Sequence, residues 1–296
     1  MTSQFLSGAA SVLLYGLAEQ AYAAGDRLAA EAFVETLARS APKSGEPFAD
    51  HWQREASALK ALWNADLAEC VRLSLSGGPR SDEANSGATA YGAMVLAVRP
   101  LLELGRPNEA AALVEASSLA GLGVGQRWFR VLVDGRRSDA SLTITGLDLL
   151  LAGLSEQELA SVPVRYLMNG LDAAVAAKHT SAAEAIALAL TPVAERIDGL
   201  TAVTVGRLLG DAARLLGDDT AALGHYQTAL RVSEAAGCKP EIALVRLALA
   251  ELLLDGDPVE RRAALAHLDA AIADLREFRM RPALERALSR RELLKA

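Results

Sequence analysis

The fold of this chain is decided by a turn between two helical segments, in a stretch that reads LGDAARLLGDDTAALGHYQTA from Leu209 to Ala229. Gly217 is expected to end the first segment in the left-handed conformation that glycine adopts most cheaply. Asp218 follows, and aspartate is a favoured cap for the next helix. Ala222 then lies on the second helix, where its small side chain lets the two helices cross closely. The stretch therefore predicts two helices joined by a tight turn.

The same turn recurs along the chain, as a glycine followed by a polar residue with an alanine five positions after the glycine. Two further full copies are Gly25-Asp26 with Ala30 and Gly105-Arg106 with Ala110. Two variants are Lys178-His179 with Ala183, which lacks the glycine, and Gly256-Asp257 with Ala264, which carries three extra residues. Internal repetition of one turn indicates a repeat protein rather than a single mixed core.

The spacing of these turns gives the repeat length. The steps from Lys178 to Gly217 and from Gly217 to Gly256 are equal, and the step from Gly25 to Gly105 is about twice as long. Weaker turns are expected at Trp63-Asn64 and near 135–139. The resulting period of about 40 residues is typical of stacked helical pairs.

With these positions the sequence resembles the tetratricopeptide repeat (TPR). The matching residues are Leu209-Gly210, Ala213, Gly217, Ala222, Tyr226 and Ala229. The phrase LALAELLL from Leu247 to Leu254, followed by Gly256-Asp257-Pro258, is similar to the helical repeats of bacterial LuxR-type regulators and cyclase-linked signalling ATPases. Most units lack the aromatic positions and the terminal proline of the family, so the resemblance is to a divergent member.

The expected fold is all-α, a right-handed superhelical solenoid of about seven antiparallel helix pairs with a C-terminal capping helix. The whole chain, 1–296, is expected to be one TPR-like solenoid. It would comprise N-terminal repeats at 1–120, a degenerate repeat or connector at 121–157, and C-terminal repeats at 158–296. The predicted pairs span 3–40, 47–76, 88–119, 124–153, 156–196, 201–236 and 239–279, with the capping helix at 282–295.

Composition narrows the classes of partner. The 296 residues carry a net charge of −7, which argues against a nucleic-acid footprint and gives no reason to expect an anionic membrane surface. Glu156–Glu158, within the stretch Leu154–Leu159, resembles the start of a LuxR-type DNA-binding segment, but the recognition helix does not follow. Ser155 and Glu158 predict a helix capping box instead. The two cysteines, Cys70 and Cys238, form no disulfide framework, so the expected location is the cytoplasm.

Motifs that carry chemistry are absent from the sequence. It contains no GxxxxGK[ST] phosphate loop and no HExxH metal pair. Cys238 beside Lys239 could be an activated thiol, but an ordinary loop cysteine is the favoured interpretation. We therefore expect no enzymatic activity, no catalytic residues, no cofactor and no metal site.

The resemblance implies that the first helix of each pair lines a concave surface that binds peptides or, in sugar-sensing relatives, a small ligand. The candidate partner-binding residues at these positions are Tyr15, Glu19, Tyr22, Arg207, Asp211, Arg214 and Arg246. Arg207 and Arg246 are one repeat length apart, so they could stack into a ladder that favours an acidic peptide or a carboxylate. The alternative is that these are ordinary surface charges in exposed pairs.

The expected function is a non-enzymatic protein- or peptide-binding scaffold, which the resemblance associates with bacterial signalling or transcriptional regulation. A small-ligand sensor that uses the same groove is the first alternative, and an uncharacterised enzyme is the second. An open groove would favour the peptide binder, whereas a closed, aromatic-lined pocket would favour the sensor. An enzyme would need a cluster of titratable groups brought together by the fold.

Overall fold

The computed structural model describes residues 2–44, 48–76, 83–118, 123–254 and 258–293. Within these ranges the chain forms sixteen α-helices. In chain order they are α1 (Thr2–Ala23), α2 (Arg27–Ser44), α3 (Ala49–Trp63), α4 (Leu67–Leu75), α5 (Glu83–Glu103), α6 (Pro107–Ser118), α7 (Gly123–Arg136), α8 (Ala140–Leu151), α9 (Glu156–Ala160), α10 (Val164–Ala176), α11 (Thr180–Leu190), α12 (Val205–Leu215), α13 (Asp219–Ala236), α14 (Lys239–Leu253), α15 (Pro258–Glu277) and α16 (Arg281–Leu293). The predicted all-α class is confirmed.

The turns between helices have the backbone conformation that the sequence predicts. Gly25, Gly105 and Gly217 adopt φ values of +77°, +74° and +83°. The glycine-free turns use the same left-handed conformation, at Ala65, Ser138 and Lys178. These six positions follow one another at nearly equal intervals, apart from a shorter step between Gly105 and Ser138. Gly256, the remaining predicted turn, lies outside the described residues.

Aspartates cap the helices that follow four of these turns. The side chains of Asp26, Asp66, Asp139 and Asp218 each accept a hydrogen bond from the backbone N–H three residues further on. Each cap satisfies one of the N–H groups that a helix start leaves without an intrahelical partner. The predicted capping box is also present, since Ser155 N donates to Glu158 Oε2 at 2.9 Å and Glu158 N donates to Ser155 Oγ at 3.3 Å.

A small, fully buried residue lies five positions after the left-handed residue of each of these six turns. The set is Ala30, Cys70, Ala110, Thr143, Ala183 and Ala222, and none of these side chains is exposed. Cys70 and Thr143 thus take the place that alanine holds elsewhere, which explains how units without the full motif still pack closely. A larger side chain at these positions would have to push neighbouring helices apart.

Gly210 on α12 is required by the ring of Tyr226 on α13. A Cβ at position 210 would overlap the aromatic carbons of Tyr226, which is completely buried. The Tyr226 hydroxyl donates to Asp211 Oδ1 at 2.7 Å and thereby fixes the ring where it is.

We expect Gly210→Ala to lower the free energy of unfolding by about 1–3 kcal/mol, the usual cost of overpacking a close contact. Urea denaturation followed by circular dichroism measures the change. Gly224→Ala on α13 is the matched control, because a Cβ there meets no atom within 4 Å. Equal stability of the two variants would contradict this account of the packing.

Two short strands, β1 (Ile197–Asp198) and β2 (Val203–Thr204), form an antiparallel pair that the sequence did not predict. The connecting turn is held by Asp198 Oδ1, which accepts hydrogen bonds from Leu200 N, Thr201 N and Thr201 Oγ1. Residues Leu142–Thr145, with an isoleucine and two threonines that favour strands, lie inside α8. Burial of Thr143 against neighbouring helices outweighs the strand preference of these residues.

Helices from the two ends of the described chain pack against each other. The largest hydrophobic cluster combines residues of α1–α7 with residues of α14–α16. At its edge Arg27 Nη1 donates to Gly237 O at 2.8 Å, and Trp63 Nε1 donates to Gly199 O at 2.8 Å. The α5–α6 turn at Gly105 lies beside Pro282 of α16. The interior between these two sets of helices is therefore largely filled by their own side chains.

In the described part of the chain, no helix is both long enough and apolar enough to span a membrane.

Candidate functional site

A cavity of about 220 Å³, partly open to solvent, lies between α5, α7, α10, α12, α14 and α16. Seven charged side chains contribute to its lining, namely Glu103, Arg136, Asp172, Arg207, Asp211, Glu251 and Arg286. The apolar part of the wall comes from Val175, Ala176, Leu244, Ala248, Pro282 and Ala283. This volume lies below the range of about 300–1,000 Å³ that is usual for drug-sized ligands, so it suits a smaller molecule.

Asp172 on α10 is the centre of the first ion-pair group, which also contains Arg99, Arg136 and Glu103. Asp172 Oδ2 accepts hydrogen bonds from Arg99 Nη1 at 2.9 Å and from Arg136 Nη2 at 3.2 Å. Arg136 Nη2 also lies 3.6 Å from Glu103 Oε1. Burial by itself would raise the pKa of Asp172, but the arginine charges outweigh burial and hold that pKa well below its ordinary value. Asp172 is therefore a carboxylate at neutral pH.

Arg207 on α12 is the centre of the second group, with Glu241 and Asp211. Arg207 Nε donates to Glu241 Oε1 at 3.0 Å, and Arg207 Nη1 donates to Asp211 Oδ2 at 3.3 Å. Glu241 Oε1 also accepts from the backbone N and the hydroxyl of Thr204, at 2.8 and 2.6 Å. Burial alone would lower the pKa of Arg207, yet the neighbouring carboxylates raise it, so the guanidinium stays charged.

Glu251 on α14 is the centre of the third group, with two arginines from different helices. Arg286 Nε of α16 lies 2.9 Å from Glu251 Oε1, and Arg214 Nη1 of α12 lies 3.8 Å from Glu251 Oε2. The Arg286 side chain is about half exposed. This group joins the C-terminal helix to the cavity wall.

Several buried polar atoms beside the cavity have no hydrogen-bond partner among the residues that the structure describes. They are Arg99 Nε, Arg136 Nε, Asn169 Nδ2, Glu241 Oε2 and Glu251 Oε1. Arg99 and Glu241 both line a smaller annex of about 20 Å³, which shares Glu103, Arg207 and Leu244 with the main cavity. An annex of this size has room for about one water, and a water can both donate hydrogen bonds to a carboxylate and accept them from a guanidinium.

The structure brings three of the predicted site residues together. Arg207 and Asp211 line the cavity, and Arg214 reaches Glu251 at its wall. Arg207 is only 6% exposed, so it is not the ordinary surface charge that the alternative interpretation assumed.

The predicted ladder of Arg207 and Arg246 is wrong. Arg246 pairs instead with Glu234 on α13, at 3.1 Å, and with Asp274 on α15, at 3.3 Å. The reason is helical geometry, because α14 faces the cavity with Leu244, Ala248 and Glu251. Arg246 is two residues from Leu244 and so points about 200° away around the helix.

The three predicted residues of α1 lie elsewhere. Tyr22 has no exposed surface and stacks on Trp63, with ring centroids 4.6 Å apart. Glu19 Oε1 accepts a hydrogen bond from Arg165 Nη2 at 3.1 Å, and Arg165 Nε also donates to Asp198 at 3.1 Å. Tyr15 is nearly buried and packs on Trp52, with centroids 5.2 Å apart. Tyr22 is thus a core residue, and Tyr15 and Glu19 belong to a polar cluster near α3 and α10.

Glu55 on α3 is the buried carboxyl of that cluster, and the sequence did not single it out. It is 5% exposed, its Oε1 lies 3.4 Å from His51 Nε2, and it accepts a hydrogen bond from the Tyr15 hydroxyl. Gly92 on α5 provides the space, because a Cβ there would collide with the carboxylate. Burial raises the pKa of Glu55 to about 7, against the lowering influence of Tyr15 and Arg54.

We expect this raised pKa to make the protein less stable as the pH rises. Between the ordinary pKa of 4.5 and about 7, the folded state holds a proton on Glu55 that the unfolded state has released. The free energy of unfolding should therefore fall through this window, by up to about 1.4 kcal/mol per pH unit and about 2–3 kcal/mol in all. Urea midpoints at pH 5 and pH 8 measure the effect.

Glu55→Gln should remove this dependence, so that the variant gains stability relative to the wild type between pH 5 and pH 8. Glu195→Gln, at a carboxylate that is 74% exposed, is the control and should follow the wild type at both values. A stability difference between Glu55→Gln and the wild type that is the same at pH 5 and pH 8 would contradict the prediction.

Both cysteines are buried free thiols. Burial raises the pKa of Cys70 to about 12 and raises that of Cys238 further above its ordinary value. Cys238 donates to Ala202 O at 3.5 Å. A thiol that stays protonated is a poor nucleophile, so these contacts support the interpretation of Cys238 as structural.

The sequence carried a weak signal for the cavity residues that were missed. Arg99 is the single charge in the apolar run AMVLAVRPLL, and Asn169 and Asp172 interrupt an apolar face of α10. A polar residue at a core position of a helix is expected to have a buried partner. The sequence does not say which partner, because the groups lie on different helices.

Within the described residues, no group of three or more His, Cys, Asp or Glu side chains is placed to hold a metal ion.

Comparison of the chain with protein-family models, with curated proteins and with solved structures found no match.

Proposed function

We propose that this protein is a non-enzymatic small-ligand sensor, built as a TPR-like solenoid of about seven antiparallel helix pairs, and that the ligand binds in the charged interior cavity. The observation that carries the proposal is a partly open cavity of about 220 Å³ with seven charged side chains in its lining. A peptide would need an open concave groove, whereas here α14 packs against α3 and α16 packs against α5. A few convergent polar groups in a concave site are typical of small-molecule binding.

The polar lining also fits binding better than catalysis. Each carboxylate of the lining lies within 4 Å of an arginine, and the pKa of Asp172 is lowered rather than moved toward neutrality. General acid–base catalysis requires a group whose pKa lies near the working pH. Glu55 has such a pKa but lies in the separate cluster on α3.

A binding experiment with an occluding variant tests the proposal. Ala176 is exposed at the cavity wall, so Ala176→Phe should fill the cavity with little effect on folding. Thermal denaturation of the full chain is followed against a library of small polar metabolites. The expected result is at least one compound that raises the Tm of the wild type and of the control Ala185→Phe, an exposed site on α11, but not that of Ala176→Phe. Compounds that stabilise all three proteins equally, or none at all, would overturn the proposal.

A protein- or peptide-binding scaffold in bacterial signalling or transcriptional regulation is the second candidate. Exposed leucines on α8 and α11 favour it, since Leu142, Leu149 and Leu188 are all more than half exposed. Such side chains can contribute to the apolar centre of a protein interface. Under this candidate, Leu149→Asp and Leu188→Asp would weaken binding of a defined partner and leave ligand-induced changes in Tm unaltered.

A further inference from the structure

The charges around the cavity are balanced as a whole but unevenly distributed. The first group, formed by Arg99, Arg136, Glu103 and Asp172, contains two charges of each sign. The second group combines Arg207 with two carboxylates, Asp211 and Glu241, and so has an excess of negative charge. The third combines Glu251 with two arginines, Arg214 and Arg286, and has an excess of positive charge. The cavity therefore has a negative pole and a positive pole.

The two poles meet on one face of α12. Asp211 belongs to the negative group and Arg214 to the positive group, and they are three residues apart on the same helix. Residues at this spacing are neighbours on a helix surface, with about 5–6 Å between their Cβ atoms. A ligand that bridges the poles must carry its two opposite charges close together.

Each pole also has capacity to accept a ligand. Asp211 receives hydrogen bonds from Tyr226 and Arg207, and its side chain is 28% exposed at the cavity. A carboxylate with two oxygens can accept further donors beyond these two. Arg286 contacts Glu251 through Nε, and its side chain is about half exposed, so its guanidinium can present N–H groups to a second carboxylate.

From this arrangement we propose that the cavity binds a compact dipolar molecule with an ammonium adjacent to a carboxylate, the chemistry of an α-amino acid. The ammonium lies against Asp211, and the carboxylate lies against Arg286, both of which line the cavity. A dipolar ligand leaves the summed charge of the cavity unchanged, whereas a ligand of one sign would add a partly buried charge without compensation. The inference rests on the proposed function, because it specifies the ligand of the same cavity.

The experiment compares ligands that differ in one charge. Titration calorimetry with the full chain uses the individual L-α-amino acids, their N-acetyl derivatives, which keep only the carboxylate, and their methyl esters, which keep only the ammonium. The expected result is that at least one amino acid binds, and that its N-acetyl derivative and its ester each bind at least tenfold more weakly. Equal binding of a one-charge derivative would overturn the dipolar assignment.

Two variants test whether the amino acid binds in the cavity. Arg286→Gln changes a half-exposed side chain, so the protein should fold normally while its affinity for the amino acid falls at least tenfold. Arg246→Gln, an arginine paired outside the cavity, is the matched control and should bind as the wild type does. Unchanged affinity in Arg286→Gln would overturn the assignment.

The failure of the inference is distinguishable from the failure of the proposed function. If only ligands of a single charge bind, and Ala176→Phe abolishes that binding, the cavity is a ligand site but not a dipolar one. If no amino acid or derivative binds, the dipolar assignment is wrong, and the metabolite library then decides whether the cavity binds anything.

Discussion

Glu241→Gln is expected to lower the free energy of unfolding by about 3–5 kcal/mol, the usual cost of breaking a buried ion pair. Glu241 is 1% exposed, and its Oε1 accepts hydrogen bonds from Arg207 Nε and from the backbone N and hydroxyl of Thr204. Thr204 is in turn the N-cap of α12. A neutral amide leaves Arg207 with Asp211 as its remaining close carboxylate and weakens the link between α12 and the start of α14.

The measurement is the midpoint of urea denaturation. The slope of the unfolding free energy against urea concentration should stay unchanged, which shows that the denatured state is unaffected. Glu195→Gln is the control, because its pair with Arg231 is 74% and 61% exposed and should contribute less than about 1 kcal/mol. If the two variants lost the same stability, the buried network would have no special role.

Asp172→Asn is expected to have a similar effect, a loss of about 3–5 kcal/mol at neutral pH. The substitution preserves the size of the side chain and removes the charge that compensates Arg99 and Arg136. Asp274→Asn, which affects the partly exposed pair with Arg246, is the matched control and should cost less than about 1 kcal/mol.

The pH dependence of Asp172→Asn provides a second test. Since the pKa of Asp172 in the folded protein is below its ordinary value of 3.8, its contribution to stability is present above that value and is lost as the pH falls toward the lower pKa. The difference between the wild type and Asp172→Asn should therefore shrink as the pH falls below about 3.8. A difference that stays constant with pH would show that the charge of Asp172 is not what stabilises the fold.

The helices and their turns could be predicted because the signals for them are local. A glycine such as Gly217 and a cap such as Asp218 act within one turn of the chain. The buried small residue five positions later follows from the same turn. Even Ala65 and Lys178, which are not glycines, follow the period, and Ser138 turns within the expected range 135–139. The strand pair at Ile197–Thr204 was missed because two-residue strands leave no periodic signal.

The candidate site was predicted only in part. The repeat period placed Arg207, Asp211 and Arg214 on the inner face of α12, and these three residues reach the cavity or its wall. The same period failed for Arg246, because a repeat fixes the spacing of residues but not the rotation of each helix relative to the cavity. Tyr22 was misassigned because an aromatic on an inner face can equally well fill the core, as it does against Trp63.

The sequence by itself determined that the chain is helical and where most of its helices begin and end, because capping, glycine conformation and apolar periodicity act between near neighbours. Only the tertiary structure decided which distant side chains meet. Arg99 and Asp172 are 73 residues apart, and Arg27 and Gly237 are 210 apart. Such contacts depend on the accumulated angles of many helix crossings, each of which varies by tens of degrees with the packed side chains. The charged cavity is a product of those angles.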